Sequence, residues 1–169
     1  MSREIRYWDS ACFLAYFRGE EERVTQCEAA LKDAEAGKIL IVTSALTIAE
    51  VLALRGEARL PPDPAMKKKV ADFFKNEYIS VQNVTRKVAE LARDLVWDHD
   101  IKPKDAIHVA SALAVEAPIL ETFDRQLLRR TGKVGRPPLT IREPLLPEAP
   151  ELPFEGKHEK QDKPPGKKG

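Results

Sequence analysis

The chain has 169 residues, 43% of them hydrophobic, which is enough for one α/β domain with a real core and too few for two full-sized domains. Its 28 basic and 27 acidic residues leave a formal net charge of +1, so a surface coated in positive charge is excluded while a local basic patch is not. No stretch has the apolar character of a signal peptide or approaches 18 consecutive apolar residues, so we expect a cytoplasmic protein without a membrane span. Cys12 and Cys27 lack metal-type spacing and are expected to be reduced and buried.

The first part of the chain alternates short apolar strands with amphipathic helices. A strand at 5–8 leads into a helix that begins at Asp9 or Ser10, and a longer helix covers 20–36. The continuous apolar run KILIVTS then predicts a strand that is covered on both faces, as in a parallel sheet. The helix after it is expected to end at Gly56.

The second part repeats this alternation after a proline-rich loop at 57–66. In chain order, its pattern predicts a helix at 67–76, a strand at 78–84, a helix from Thr85 to 100, a helix at 102–117, a strand at 118–123, a short helix or turn at 124–130 and a possible edge strand at 138–143. Strands alternating with helices predict a three-layer α/β/α sandwich with a central, mainly parallel sheet. We assign this domain to residues 1–144 and expect the Pro-, Lys- and Glu-rich segment 145–169 to be a disordered tail.

Four carboxylates lie where a predicted strand is followed by a helix, or near the start of a helix: Asp9, Glu50, Asp105 and Asp124. Since the carboxyl ends of parallel strands share one edge of a sheet, and such sheets bind ligands there, we expect these acids to lie together. Taken singly, each has a purely structural interpretation. Three could be helix caps or first-turn acids, and Glu50 follows Thr47 at the spacing of a capping box.

Taken together, the four acids favour a functional interpretation. Carboxylates that converge on one edge repel one another and raise one another's pKa values unless a cation lies among them. Oxygen donors without histidine or cysteine partners suit Mg²⁺ or Mn²⁺. An acidic cluster of this kind is typical of metal-dependent phosphodiester cleavage, in which the ion activates water and stabilises charge on the phosphate.

Four segments carry a resemblance to a known family: YWDSACFL, VTSALTIAEV, KPKDAIHVASAL and ILETFDRQL. In this order they resemble the four motifs of PIN-domain ribonucleases, and most of all VapC-like toxins of bacterial and archaeal toxin–antitoxin pairs. The resemblance covers residues 5 to about 143. The proline-rich insertion at 57–66 and the long tail depart from the compact pattern of such toxins.

The resemblance implies a PIN-like fold, an endoribonuclease that depends on Mg²⁺ or Mn²⁺, an RNA substrate, a cognate antitoxin and a homodimer. By motif position it assigns the catalytic acids to Asp9, Glu50, Asp105 and Asp124, with Thr122 in support. We expect Asp9, Asp105 and Asp124 to be the metal ligands. Glu50 would either bind metal or orient and deprotonate the attacking water.

Two further features lie close to these motifs. His108 falls on the same helix face as Asp105 and would contact phosphate, hold an acid in place or simply be a satisfied histidine at the rim. The run after Asp124 contains six basic residues and no acidic one up to 142, and it would either contact RNA phosphates or form a solvated face. The RNA-binding candidates in it are Arg125, Arg129, Arg130 and Lys133.

Other functions remain as alternatives. A PIN nuclease of RNA processing shares the chemistry without the toxin role, and a PIN-like scaffold would bind RNA or protein without cleaving it. A haloacid-dehalogenase-type phosphatase needs a second aspartate two residues after the first, where this chain has Ala11. Trp8 and Trp97 are both expected in the core.

Overall fold

The structure is a computed structural model that describes residues 2–51 and 63–147. The strands within these ranges are β1 (Glu4–Trp8), β2 (Ile39–Ser44), β3 (Ile79–Gln82), β4 (Ile119–Glu121) and β5 (Thr140–Arg142). The helices are α1 (Ser10–Arg18), α2 (Val24–Glu35), α3 (Ala45–Glu50), α4 (Pro64–Phe73), α5 (Arg86–His99), α6 (Pro103–Ala114) and α7 (Arg125–Leu128).

The strands form one sheet in the order β3-β2-β1-β4-β5, and every neighbouring pair is parallel. The chain builds outward from β1 to β3 and then returns to place β4 on the other side of β1. The order of strands therefore reverses between β1 and β4, and open parallel sheets bind ligands at such a switch point, outside the carboxyl ends of the strands.

Helices cover both faces of the sheet, because its strands carry apolar side chains on both. Tyr7, Val42 and Leu120 belong to a core cluster that includes residues of α5, α6 and α7. Trp8 and Ile41 belong to a second cluster with residues of α1, α2 and α4. The predicted α/β/α sandwich is confirmed, and its sheet is parallel throughout.

Local capping explains where several helices begin. Thr85 caps α5 by accepting a hydrogen bond from the amide of Val88, as its place in the sequence predicts. Asp63 caps α4 by accepting from the amide of Met66, and Pro64 occupies the first helical position. This helix therefore begins three residues earlier than the predicted start at 67, inside the segment expected to be a loop.

The helix after β2 is shorter than predicted. It ends at Glu50, and Val51 already has an extended backbone with φ of −65° and ψ of 134°. Most of the proline-rich insertion and of the C-terminal tail, both expected to be irregular, lies outside the described residues. None of the helices in the described ranges is long and apolar enough to cross a membrane.

Predictions about four side chains can be compared with the fold. Cys12 and Cys27 are free and buried, and Trp8 is fully buried, as expected. The expectation for Trp97 is wrong, because 71% of this residue is exposed on the solvent side of α5. The helix buries Val88, Ala92 and Leu95 instead, and position 97 falls off that face.

Candidate active site

One cavity of about 260 Å³ at the carboxyl edge of the sheet brings the four predicted acids together. Asp9 follows β1, Glu50 ends α3, Asp105 lies in the first turn of α6 and Asp124 caps α7. We call this space the acidic cavity; its lining also includes Ser10, Ala11, Leu14, Arg18 and Lys104. Four separate segments of the chain thus contribute one carboxylate each to the switch point.

Asp9 is a helix cap and a buried acid at once. Its Oδ1 accepts a hydrogen bond of 3.0 Å from the amide of Ala11, and its Oδ2 accepts one of 2.5 Å from the hydroxyl of Thr122. Only 4% of the residue is exposed. Burial raises the pKa of Asp9 to about 6, although the charge of His108 and the hydrogen bond from Thr122 act in the opposite direction. The carboxyl group therefore keeps its proton up to a higher pH than a surface aspartate does.

Thr122 joins two of the acids. Its Oγ1 donates to Asp9 and also accepts a hydrogen bond of 3.0 Å from the amide of Asp124. The side chain is fully buried, just beyond the end of β4. The position expected to support the site therefore holds Asp9 and the start of α7 in one fixed relation.

Asp124 and Asp105 face the acidic cavity from different helices. The Oδ1 of Asp124 accepts hydrogen bonds from the amides of Gln126 (2.7 Å) and Leu127 (3.1 Å), so this residue is also a true N-cap. The pKa of Asp105 is raised, first by burial and then by the negative charge of Asp124. The cap interpretation and the site interpretation are thus compatible, because a cap at this edge also lines the cavity.

Glu50 stands in a different environment from the three aspartates. Its Oε2 lies 2.8 Å from Nε2 of His108, and its Oε1 lies 3.5 Å from Nζ of Lys104. Burial alone would raise the pKa of Glu50, but the hydrogen bond and charge of His108, a hydrogen bond from Ser10 and the charge of Lys104 together lower the pKa below its ordinary value. The capping-box interpretation is wrong, since Ser44 caps α3 and Glu50 is its last residue.

His108 is buried between two partners and does not lie at the rim. Its Nδ1 is 2.9 Å from the hydroxyl of Tyr7, and its Nε2 is the atom that contacts Glu50. Only 2% of the residue is exposed. Burial raises the pKa of Tyr7 far above its usual range, so the phenol keeps its proton beside Nδ1. Nε2–H then donates to Glu50, and of the three uses considered for His108 the contacts match the holding of an acid.

Four polar residues of the site escaped the sequence reasoning: Ser10, Arg18, Lys104 and Tyr7. A signal existed for Arg18, because positions 11, 14 and 18 share one face of the helix that Asp9 caps. Lys104 directly precedes Asp105 in the first turn of α6. Nothing in the sequence pairs Tyr7 with His108, since 101 positions separate them.

A second cavity of about 420 Å³ adjoins the first and is rich in cations. We call it the basic cavity; its lining residues are Asp100, Ile101, Lys102, Asp105, Gln126, Leu127, Arg129, Arg130 and Lys133. Asp105 lines both cavities, so they are neighbours. Three of the four predicted RNA-binding residues lie here, and Arg125 is exposed outside this lining.

The donor set suits a hard divalent cation in kind. Within the described residues, no three His, Cys, Asp or Glu side chains are placed as a closed metal-binding group. Mg²⁺ does not need such a cage, because it keeps several waters and is commonly held by one or two carboxylates together with substrate phosphates. The two aspartates whose pKa values are raised, Asp9 and Asp105, provide negative charge that a cation would stabilise.

The chain matches a protein family in sequence and several solved structures in fold. The family model of the PIN domain matches residues 6–134. No curated protein matches the chain in sequence. Among solved structures, VapBC2 from Rickettsia felis, bound to a DNA fragment from their promoter, is similar with a TM-score of 0.59 and 16% identity, over 82% of this chain and 97% of that one.

Two further structures are similar at the same level. VapC20 from Mycobacterium tuberculosis, a toxin that cleaves the sarcin–ricin loop, gives a TM-score of 0.55 and 18% identity over 70% of this chain and 89% of that one. A toxin–antitoxin complex from Klebsiella pneumoniae gives a TM-score of 0.52 and 21% identity over 73% of this chain and 89% of that one. At these identities the likeness concerns the fold.

Proposed function

Since the chain belongs to the PIN-domain family, we propose that it is a metal-dependent endoribonuclease and the toxin of a toxin–antitoxin pair. The observation that carries this proposal is the meeting of four carboxylates from four segments in one cavity at the switch point of the sheet. A scaffold that only binds RNA would have no use for so much negative charge, because it repels phosphate unless a cation neutralises it.

Asp9, Asp105 and Asp124 are the residues that would hold Mg²⁺ or Mn²⁺. When bound, the ion supplies an activated water and neutralises charge that develops on the phosphate. Thr122 keeps Asp9 and Asp124 in register through its two hydrogen bonds. Asp105 approaches from α6, on the side where the acidic cavity meets the basic one.

Glu50 is the residue that accepts a proton from the attacking water. Its depressed pKa keeps it ionised, and His108 fixes its orientation from the protein interior. The water oxygen then forms a new bond to phosphorus while the bond to the leaving ribose oxygen breaks, and that oxygen takes up a proton. Lys104 lies 3.5 Å from Glu50 and is 65% exposed, so it can turn from the carboxylate to a phosphate oxygen.

The basic cavity is the proposed path of the RNA strand beside the cleavage site. Arg129, Arg130 and Lys133 present positive charge next to Asp105, where they can pair with phosphates on either side of the scissile one. Such contacts are independent of sequence, so they supply affinity without selecting a particular RNA.

The chemistry of the product ends tests the nuclease proposal. Attack by water leaves no 2′,3′-cyclic phosphate, and a 2′-O-methyl group at the cleaved nucleotide does not block the reaction because the ribose hydroxyl takes no part. We expect purified protein to cut such a modified RNA in Mg²⁺, and the Asp105→Asn variant to leave it intact. Cyclic phosphate ends, or cleavage that survives in the variant, would rule out the proposed mechanism.

The toxin role, the antitoxin, the homodimer and the cytoplasmic location are finer parts of the same proposal. The toxin role and the antitoxin are supported by the fold shared with the VapBC complex and the VapC toxin described above. The homodimer and the cytoplasmic location are predictions from the sequence alone. Induced expression in a bacterial host tests the role: the intact chain should arrest growth and Asp9→Asn should not. A nuclease of RNA processing is the alternative, and it becomes the better account if the intact chain cleaves RNA but leaves growth unaffected.

A further inference from the structure

Trp97 is the most exposed of the large apolar residues in the described ranges. Its exposed fraction of 71% exceeds those of Ile48, Val84, Leu145 and Leu146. The guanidinium of Arg93 lies over the indole ring, 4.8 Å from its centroid, and itself hydrogen-bonds Asp94. The ring is therefore steadied on its own helix while most of its surface still faces solvent.

The position of Trp97 relates it to the basic cavity. Asp100, which lines that cavity, lies three positions further along the chain, about one helical turn away. The backbone oxygen of Asp100 accepts a hydrogen bond of 3.3 Å from Arg130, another lining residue. Asp105 lines both the acidic and the basic cavity, and the basic cavity reaches Asp100, the C-cap of α5, three positions after Trp97.

We propose that Trp97, steadied by Arg93, is a stacking platform for an unpaired base of the RNA strand that passes through the basic cavity. The inference rests on the proposed function and adds a binding site to it. An indole can stack on any base, and aromatic platforms beside positively charged grooves are a common way to hold single-stranded nucleic acid. The platform fixes the strand at a distance from the scissile phosphate, on the far side of the cationic lining.

The surroundings of Trp97 favour a base over a protein partner. A protein docking surface buries a contiguous apolar patch, whereas the exposed positions of α5 nearest the indole carry charges of both signs: Glu90, Arg93 and Asp98. The cations that complement a negatively charged ligand, Lys102, Arg129, Arg130 and Lys133, lie in the adjoining cavity. The cationic lining matches a phosphate backbone, and the exposed indole matches a splayed base.

The test uses the full chain carrying Asp9→Asn, which binds RNA without cutting it under the proposal. Trp8 is fully buried, so a change in tryptophan fluorescence on adding a 12-nucleotide oligo(A) or oligo(U) reports Trp97. We expect quenching in this parent and none after Trp97→Phe. In fluorescence anisotropy, Trp97→Leu should weaken RNA binding by about 5- to 100-fold, and Trp97→Phe by much less, because phenylalanine still stacks.

Each other outcome overturns the platform. If Trp97→Leu binds the oligonucleotides as tightly as the parent while the intact chain cleaves RNA, the stacking role fails and the proposed function stands. If the substitution instead abolishes self-association in sedimentation velocity and leaves RNA affinity unchanged, Trp97 is a protein contact. If the parent binds no RNA and the intact chain cuts none, the proposed function fails as well.

Discussion

Asp9 combines two demands that oppose each other, because it caps α1 and is nearly inaccessible to water. An ionised carboxylate in such a place is costly to desolvate, and its hydrogen bonds offset only part of that cost. In the metal-free protein the ionised carboxylate of Asp9 therefore destabilises the fold, and removal of its charge should raise the free energy of unfolding.

This leads to a prediction about stability and pH. The folded-state pKa of Asp9 is raised to about 6, so the stability that its protonated form contributes is complete below about pH 4 and is lost as the pH rises through 6. Asp9→Asn should accordingly raise the free energy of unfolding at pH 7.5 by roughly 1–3 kcal/mol, and the gain should vanish at pH 4.

Urea unfolding in EDTA at the two pH values measures this difference. Asp63→Asn, at the exposed cap of α4, controls for the removal of one negative charge from a helix start. A variant of Asp9 that is less stable than the parent at pH 7.5 would show that the buried charge is fully compensated within the protein.

Thr122 allows a second prediction at the scale of one residue. Thr122→Val keeps the shape of the side chain but leaves Asp9 Oδ2 without its donor and the amide of Asp124 without its acceptor. We expect a loss of about 1–3 kcal/mol in unfolding free energy. Thr122→Val should lower the cleavage rate by more than the lost stability explains. Thr122→Ser should keep both the cleavage rate and the unfolding free energy of the parent. Equal activity in the Val and Ser variants would separate Thr122 from the chemistry.

Among the elements, those with strong local signals are the ones that the sequence predicts. A continuous apolar run marks β2, and Thr85 marks the start of α5. The end of α3 is not predictable in this way, because the apolar pattern continues past Glu50 although the helix does not. The four acids are predictable as a group, since parallel strands align their carboxyl ends whatever the details of each helix.

Contacts between distant elements are what the sequence does not reveal. The hydroxyl of Tyr7 on β1 meets His108 on α6, and the same histidine reaches across to Glu50 at the end of α3. Helical spacing places His108 near Asp105, yet its actual partner belongs to another helix. Which of several possible partners a buried polar group takes depends on tertiary packing, and no local pattern encodes it.

The arrangement of β1, α3 and α6 predicts a catalytic effect of Tyr7→Phe. Loss of the phenol hydroxyl frees Nδ1 of His108, and the imidazole then holds Glu50 less firmly. We expect kcat to fall by about tenfold with little change in KM. Tyr78→Phe, which removes a hydroxyl bonded to exposed Glu35, is the matched control and should be neutral. An unchanged kcat for Tyr7→Phe would leave the contact with only a structural role.

For the whole molecule, the near-zero net charge conceals a division of charge between two adjoining cavities. Four carboxylates gather in one, and three arginine and lysine side chains from the run after Asp124 line the other. The composition correctly allows a local basic patch but does not place it. Arg142, from the same run, instead pairs with buried Glu121 at 3.2 Å, because the pairing of β5 with β4 places these two residues side by side.

This division predicts the salt dependence of RNA binding. Each phosphate contact releases counterions, so the slope of log K against log salt should fall in magnitude by about 0.7 when Arg129, Arg130 or Lys133 is replaced by alanine. Lys67→Ala, on α4 against the opposite face of the sheet, should leave the slope unchanged. If replacing Arg129, Arg130 or Lys133 changes the slope no more than replacing Lys67 does, the basic cavity is not part of the RNA path. Anisotropy titrations at several salt concentrations give these values.

The central claim is that the acidic cavity cleaves RNA through a divalent cation held by its aspartates. The most direct measurement follows cleavage of one RNA by the purified chain in Mg²⁺, after an excess of EDTA, and again after Mg²⁺ is restored. The account predicts cleavage, its loss and its recovery in that order, with Asp105→Asn inactive throughout. Undiminished cleavage in EDTA, or full activity of the variant, would contradict it.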